Sequence, residues 1–234
     1  MTAGPFSGAT AVTHLAVYDW LGPDGLTGGS AHVHLTSTEG YVVIGGSGRL
    51  QTLSADGFAE TPLTPLTVAW FSPGVVHRLI NDGGLQILVV MQNAGLPEAG
   101  DSVLSFPPDY LAEPGTYRAL ATLAGDNPAE AAHRRAQLAV EGFLHLRAEV
   151  RERGPDALEA FYTAAAALVR DRVPGWQSTW ADGPLAAAQR TGDQLQRLER
   201  GSSEHLRLGR LAVLTPAAER AYGMCGRLLT FPPG

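Results

Sequence analysis

Residues 28–48 read GGSAHVHLTSTEGYVVIGGSG. His32 and His34 are two apart, so an extended strand puts both imidazoles on one face, about 6.5–7 Å from each other. Glu39 follows a short polar stretch. Gly40-Tyr41-Val42-Val43-Ile44 then has the pattern of a strand, and Gly45-Gly46-Ser47-Gly48 that of a turn before Arg49–Leu53. A hairpin of this kind folds the Glu39 carboxylate back beside the two histidines. Imidazole with carboxylate is a ligand set for iron, manganese, nickel, zinc or copper rather than for a thiolate-seeking ion.

Residues 70–81, WFSPGVVHRLIN, supply a second motif, with a Pro73-Gly74 turn entering a strand that carries His77 and ends at Asn81. Four residues separate His34 from Glu39 and six separate Glu39 from Gly46; two separate Gly74 from His77 and three separate His77 from Asn81. This pattern resembles the two signature motifs of the cupin superfamily. The resemblance implies an antiparallel β-barrel of the double-stranded β-helix, jelly-roll type. It also implies that His32, His34, Glu39 and His77 are metal ligands and that Gly46, Gly74 and Asn81 are structural. Ser72 stands where the family usually has Pro, and Leu26 where it has Gly; neither position is a ligand. The resemblance covers the first half of the chain and is silent about the second.

The 234 residues suffice for one large domain or two modest ones, with 44% hydrophobic and 17% charged residues, as in a globular protein. A net charge of −6 gives no support to binding of nucleic acid or of an anionic membrane. A single cysteine, Cys225, precludes an internal disulfide framework and suits a reducing compartment. No secretion signal or long apolar span stands out, so a cytoplasmic location is expected. The chain has no lysine: all 17 basic residues are arginines, which excludes lysine Schiff-base chemistry. Residues 1–118 hold three arginines against ten acids, whereas residues 119–234 hold fourteen against thirteen.

From Thr10 to about Leu104, short apolar runs recur between Gly, Pro, Asn and Asp, as in a β-sandwich or barrel. Asn81-Asp82-Gly83-Gly84 reads as a turn joining the His77 strand to Leu85–Met91. An irregular connector follows, and the division falls between a barrel at 1–118 and an all-helical region at 119–234. Asn127-Pro128-Ala129-Glu130 is a helix start, with Asn as N-cap, Pro in the first turn and Glu in capping-box position. That helix should end at Gly154-Pro155. Others fit 156–171, 184–200, 203–213 and 216–225. The ending Leu228-Leu229-Thr230-Phe231-Pro232-Pro233 echoes Leu104-Ser105-Phe106-Pro107-Pro108, which we take as coincidence in a Pro-rich tail. His14, Trp176 and Trp180 are read as packing or surface residues.

Three imidazoles and one carboxylate leave an octahedral ion two open positions for a chelating substrate, or for substrate and dioxygen. Iron is the ion expected, with manganese, nickel or zinc as alternatives. Tyr41 and Val43 share strand parity with Glu39 and should face the interior; Tyr41, with a proton to give, is the candidate catalytic donor beside the metal. Cupins include dioxygenases, sugar-phosphate isomerases, decarboxylases and binding proteins. A phosphosugar needs clustered basic donors, and the barrel offers only Arg49 and Arg78, the latter pointing away from the metal. Dioxygenase-type oxidation of a small apolar or chelating molecule is therefore the leading expectation. The alternatives are a non-catalytic binding module, whose helices serve as a homodimer surface, and a metal-dependent isomerase or lyase. Arginines of the helices, such as Arg134, Arg135, Arg147, Arg151 and Arg153, are interleaved with acids, as on a solvated face rather than a DNA-binding one.

Overall fold

The computed structural model describes residues 6–231. Seven strands fill the first half: β1 Ala11–Val17, β2 His32–His34, β3 Glu39–Ser54, β4 Gly57–Leu63, β5 Val68–Phe71, β6 Val76–Met91 and β7 Ser102–Leu104. Helices α1 Pro108–Leu111, α2 Pro114–Ala121, α3 Pro128–Arg153, α4 Leu158–Val169, α5 Val173–Trp180 and α6 Ala186–Glu199 follow. Two short strands end the chain, β8 Ala221–Tyr222 and β9 Gly226–Thr230. Every strand pairing is antiparallel. The hydrogen-bonded path β4-β3-β6-β1-β9-β8 stays open among the described residues, with β2 joining β6 and β7 and with β5 joining β3. The first half is thus a mostly antiparallel sheet. The expected closure into a barrel is not seen in the pairing.

Two stretches expected as turns are bends inside continuous strands. Gly45–Gly48 and Asn81–Gly84 face each other across the 16-residue strands β3 and β6: Ser47 pairs with Gly83, and the register shifts three times between Val43 and Gly48. At Gly46 φ is +70°, and a Cβ there would lie 2.1 Å from the Gly84 carbonyl oxygen. Without that atom the two backbones touch, and the bulged ribbon bends without ending. Asn81 holds the bend. Its Oδ1 accepts from the Gly83 and Leu85 amides at 3.1 and 3.0 Å, and its Nδ2 donates to the Val17 carbonyl at 3.0 Å. The hairpin expected between the HxH strand and the next is also absent. Instead β2 lies along β6, with His32 opposite His77, and Glu39 enters from β3, opposite Phe71 and Met91.

The sheet carries apolar side chains on both faces. One face gathers Leu15, Tyr41, Val43, Leu79, Ile87 and Met91 around the histidines. The other, with Ala31, Val33 and Leu104, packs on Phe143, Leu146 and Phe161 of the helices. Helix α3 starts where its capping signals place it: the Asn127 side chain accepts from the Glu130 amide at 3.2 Å. It ends at Gly154, whose φ is +82°. Gly142 lets α3 press onto the strand end, since a Cβ there would lie 1.9 Å from the Ser105 carbonyl oxygen. Arg78, buried under α3, donates to Gln51 Oε1 at 2.7 Å, pairs with Asp24 and lies 5.3 Å from the Phe143 ring centre. Its side chain thus points away from the histidines, as strand parity requires.

The region after residue 119 is helical as far as Glu199, but it is not all helix. Residues 203–213 hold only the short 3-10 turn Glu204–Leu208, and 216–225 holds no helix among the described residues. The chain instead returns to the sheet, where β9 pairs with β1 from Val17↔Gly226 to Thr13↔Thr230. The run from Leu228 is therefore a strand rather than a tail, because its apolar residues complete a sheet edge; Pro232 and Pro233 lie outside the described residues. No described helix is long and apolar enough to cross a membrane.

Gly46→Ala should lower the unfolding free energy by about 2–4 kcal/mol, since it adds a backbone clash to the strain of positive φ. Gly57→Ala, at φ +87° with nothing near the added carbon, should cost only about 1–2 kcal/mol. Urea unfolding of both variants checks the contrast, and equal losses would contradict a contact-driven bend.

Candidate metal centre

The strand placements bring four acid–base side chains to one point. His32 and His34 project from β2, His77 from the facing position of β6, and Glu39 from the first residue of β3. All four are buried, at 3%, 8%, 0% and 6% exposure. One ligand atom from each lies within 4.8 Å of every other. Glu39 Oε2 is 3.1 Å from His77 Nε2 and 3.4 Å from His34 Nε2. Donor atoms about 2.0–2.2 Å from one ion sit about 3 Å apart when adjacent and about 4.2 Å apart when opposite, so these spacings suit a single cation.

The outer nitrogens say which atoms face inward. His32 Nδ1 lies 3.2 Å from the Ser30 carbonyl oxygen, His77 Nδ1 lies 3.0 Å from that of Val75, and His34 Nδ1 lies 2.8 Å from Asp101 Oδ1. Each of these partners is an acceptor, so each ring donates from Nδ1 and turns Nε2 inward. His77 Nε2 and Glu39 Oε2 have no hydrogen-bond partner. Two buried acceptors in contact repel unless a proton or a metal cation lies between them. The four residues therefore fit a divalent transition metal.

Electrostatics agree with that charge demand. Burial penalises the Glu39 charge, but the adjoining His34 and His77 imidazoles outweigh it and hold the carboxyl well below its usual range. Burial, and then the neighbouring His77 and His34, push His32 well below the ordinary imidazole value. Burial also disfavours charge on His34, yet its hydrogen bonds to Asp101 and Glu39 prevail and push it up to about 10.

Tyr41 is fully buried, with its hydroxyl unpartnered. Its ring packs edge-on to Phe71 at 5.4 Å and lies 6.5 Å from that of His77. It does not line the cavity described below. Burial, followed by the Glu39 charge, pushes the phenol well above its normal value. His14 stands apart, bonded to Gln86 and Arg220. Trp176 is buried and donates to the Ala99 carbonyl, while Trp180 is partly exposed.

A cavity of about 230 Å³ opens onto His32, His34 and Glu39. Its walls include Leu15, Val89, Met91, Met224, Cys225 and Leu228. Sequence reasoning missed two parts of this arrangement. Asp101, wholly buried, also accepts from Thr36 Oγ1 at 2.9 Å and so orients His34. Nothing in its spacing signals this, because it sits just before β7, the strand paired with β2. Met224, Cys225 and Leu228 come from the final strand region, where a helix and a tail were expected. The Gly226 seat was the available signal, since a Cβ there would lie 2.1 Å from the Ala16 carbonyl oxygen.

No family model matches the chain, and no curated protein matches it. Solved structures do. The capsular polysaccharide assembling protein CapF of Staphylococcus aureus shares 19% identity over 34% of this chain, with a TM-score of 0.28. This chain spans only 22% of CapF. Pac13, a nucleoside dehydratase from Streptomyces, shares 15% identity over 43% of this chain and 71% of its own, with a TM-score of 0.33. A Klebsiella pneumoniae protein with a double-stranded β-helix domain shares 23% identity over 35% of this chain and 63% of its own, with a TM-score of 0.26. These likenesses are partial, and the chemistry below is taken from this chain's own residues.

His77→Ala should abolish binding of one metal ion per chain. Asp101→Asn should keep that stoichiometry while weakening affinity by about 10–100-fold. Chelator competition combined with elemental analysis measures both, and an unchanged affinity in Asp101→Asn would remove Asp101 from the site.

Proposed function

We propose that this chain is a metal-dependent cupin enzyme, built on a jelly-roll scaffold at 1–118 with a mainly helical partner region at 119–234. In this reading iron, held by His32, His34, Glu39 and His77, serves dioxygenase-type oxidation of a small, largely apolar organic molecule. The observation that carries the proposal is the convergence of four buried donors on one point, with three of them lining a cavity. Iron bound there would supply redox chemistry. The chain does the rest. Ser30, Val75 and Asp101 fix the imidazole protons on the outer nitrogens. Met91, Met224 and Leu228 exclude water and hold an apolar substrate over the metal side of the cavity. Tyr41, kept protonated by burial, packs on Phe71 beside His77 and does not meet the substrate.

Among the described residues the wall of the metal-side cavity contains no arginine, and the chain has no lysine, which argues against phosphorylated substrates. Exposed Leu66, Val68 and Trp70 on and beside β5 support pairing of two copies of the chain.

Anaerobic iron loading followed by oxygen-electrode assays tests the activity, with catechols, β-diketones and 2-hydroxy acids as candidate substrates. The expected result is substrate-dependent oxygen uptake in stoichiometric ratio to product, abolished in His77→Ala. Saturable binding with no turnover would establish a binding module instead. Turnover by zinc- or nickel-loaded protein without oxygen would establish an isomerase or lyase.

A further inference from the structure

Three arginines gather around Tyr117 of α2 with no acid among them. The arginine ion pairs among the described residues are those of Arg49, Arg78, Arg134, Arg151 and Arg153; Arg118, Arg135 and Arg172 form none. Arg118 and Arg172 line a cavity of about 170 Å³, and no carboxylate is found in its described wall, which includes Tyr117, Thr122 and Met224. Gly100, at φ +80°, makes room for one of the two guanidinium groups, since a Cβ there would lie 2.6 Å from Arg172 Nη1. Arg172 also donates to the Gly100 carbonyl at 3.3 Å.

Arg135 stands behind this wall. It is 7% exposed and donates to the carbonyls of Ala121, which lines the cavity, and of Gly223, which precedes Met224. Its Nε has no hydrogen-bond partner. Two carbonyls satisfy N–H groups but do not balance a buried positive charge, and burial pulls the guanidinium below its ordinary value. Tyr117, itself 8% exposed, accepts from the Leu104 amide at 2.9 Å. That leaves its hydroxyl proton without an acceptor among the described residues. Burial raises the phenol, and the Leu104 amide, followed by the charges of Arg172 and Arg135, opposes the rise, so both guanidinium groups act on this hydroxyl.

We propose that the cavity is an anion site for a phosphate-type oxyanion, either the free ion or the head of a phosphate monoester. Arg118 and Arg172 supply forked N–H donors, Tyr117 supplies a hydroxyl donor, and Arg135 adds a positive field from behind. A phosphate dianion answers more of these three positive charges than a single carboxylate does. His32, His34, Glu39 and His77 do not line the cavity, so the anion is not the substrate of the metal centre. It ties α2 and the turn after α4 to β7, the strand paired with β2.

Protein stripped of metal with the neutral chelator phenanthroline keeps the metal centre out of the measurement. Calorimetry with inorganic phosphate should then show one ion per chain, saturating below about 10 mM, and phosphate should raise Tm. Arg118→Gln and Arg172→Gln, both at exposed positions, should each weaken binding about tenfold or more and shrink the gain in Tm. Their Tm without phosphate should stay close to that of the wild type, and Arg172→Lys should recover part of the lost affinity. Phenyl phosphate separates the two sources: tighter binding than inorganic phosphate supports a monoester head, and weaker binding supports the free ion. Absence of binding to the wild type, unchanged affinity in both glutamine variants, or acetate binding as tightly as phosphate would overturn the proposal. Phosphate binding that appears only when metal is restored would put the ion on the metal and overturn it as well.

Discussion

Lone pairs do not tolerate burial against one another. Glu39 Oε2 and His77 Nε2 are buried 3.1 Å apart without a hydrogen-bond partner, acceptor facing acceptor, and only positive charge between them makes that arrangement favourable. The rest of the structure supplies what this constraint demands. Three acceptors behind the rings fix the tautomers. Apolar side chains such as Leu15, Val89 and Met91 wall the cavity beside them. The strands prevent the rings from rotating away, because each donor lies on paired backbone or at its edge.

Those strands are aligned by a bend rather than by a hairpin. The contact between Gly46 and Gly84 lets β3 and β6 continue through a corner as a single ribbon. One part of the ribbon then carries Glu39 and another carries His77, and the fold brings both to β2. The helical region is not a passive appendage to this frame. Gly142 seats α3 against Ser105, and Arg135 of α3 donates to the Ala121 carbonyl at 3.2 Å and to that of Gly223. Gly223 leads directly into Met224 and Cys225, so α3 helps to hold one wall of the metal-side cavity.

Local patterns in the chain were informative because they report on short-range physics. The HxH pair, the spacing to Glu39 and the second motif around His77 follow strand alternation, and the capping of α3 by Asn127 follows helix-end hydrogen bonding. The same physics misled at glycine clusters. Gly45–Gly48 and Asn81–Gly84 have turn composition, yet composition cannot distinguish a chain reversal from a bulge that needs a partner backbone close by. It misled again near the C-terminus, where helical periodicity over 216–225 gave way to pairing with β1.

What the amino-acid sequence determined by itself is the donor set, its spacing on extended chain, the start and end of the long helix, and a chemistry without lysine. The tertiary structure alone decided what stands behind and around those donors. Asp101 lies 67 residues from His34, and Cys225 is 193 residues from His32, with Sγ 3.9 Å from its Nδ1. Contacts over such separations have no local period to betray them. They arise only when packing of whole strands and helices brings distant segments to the same few ångströms.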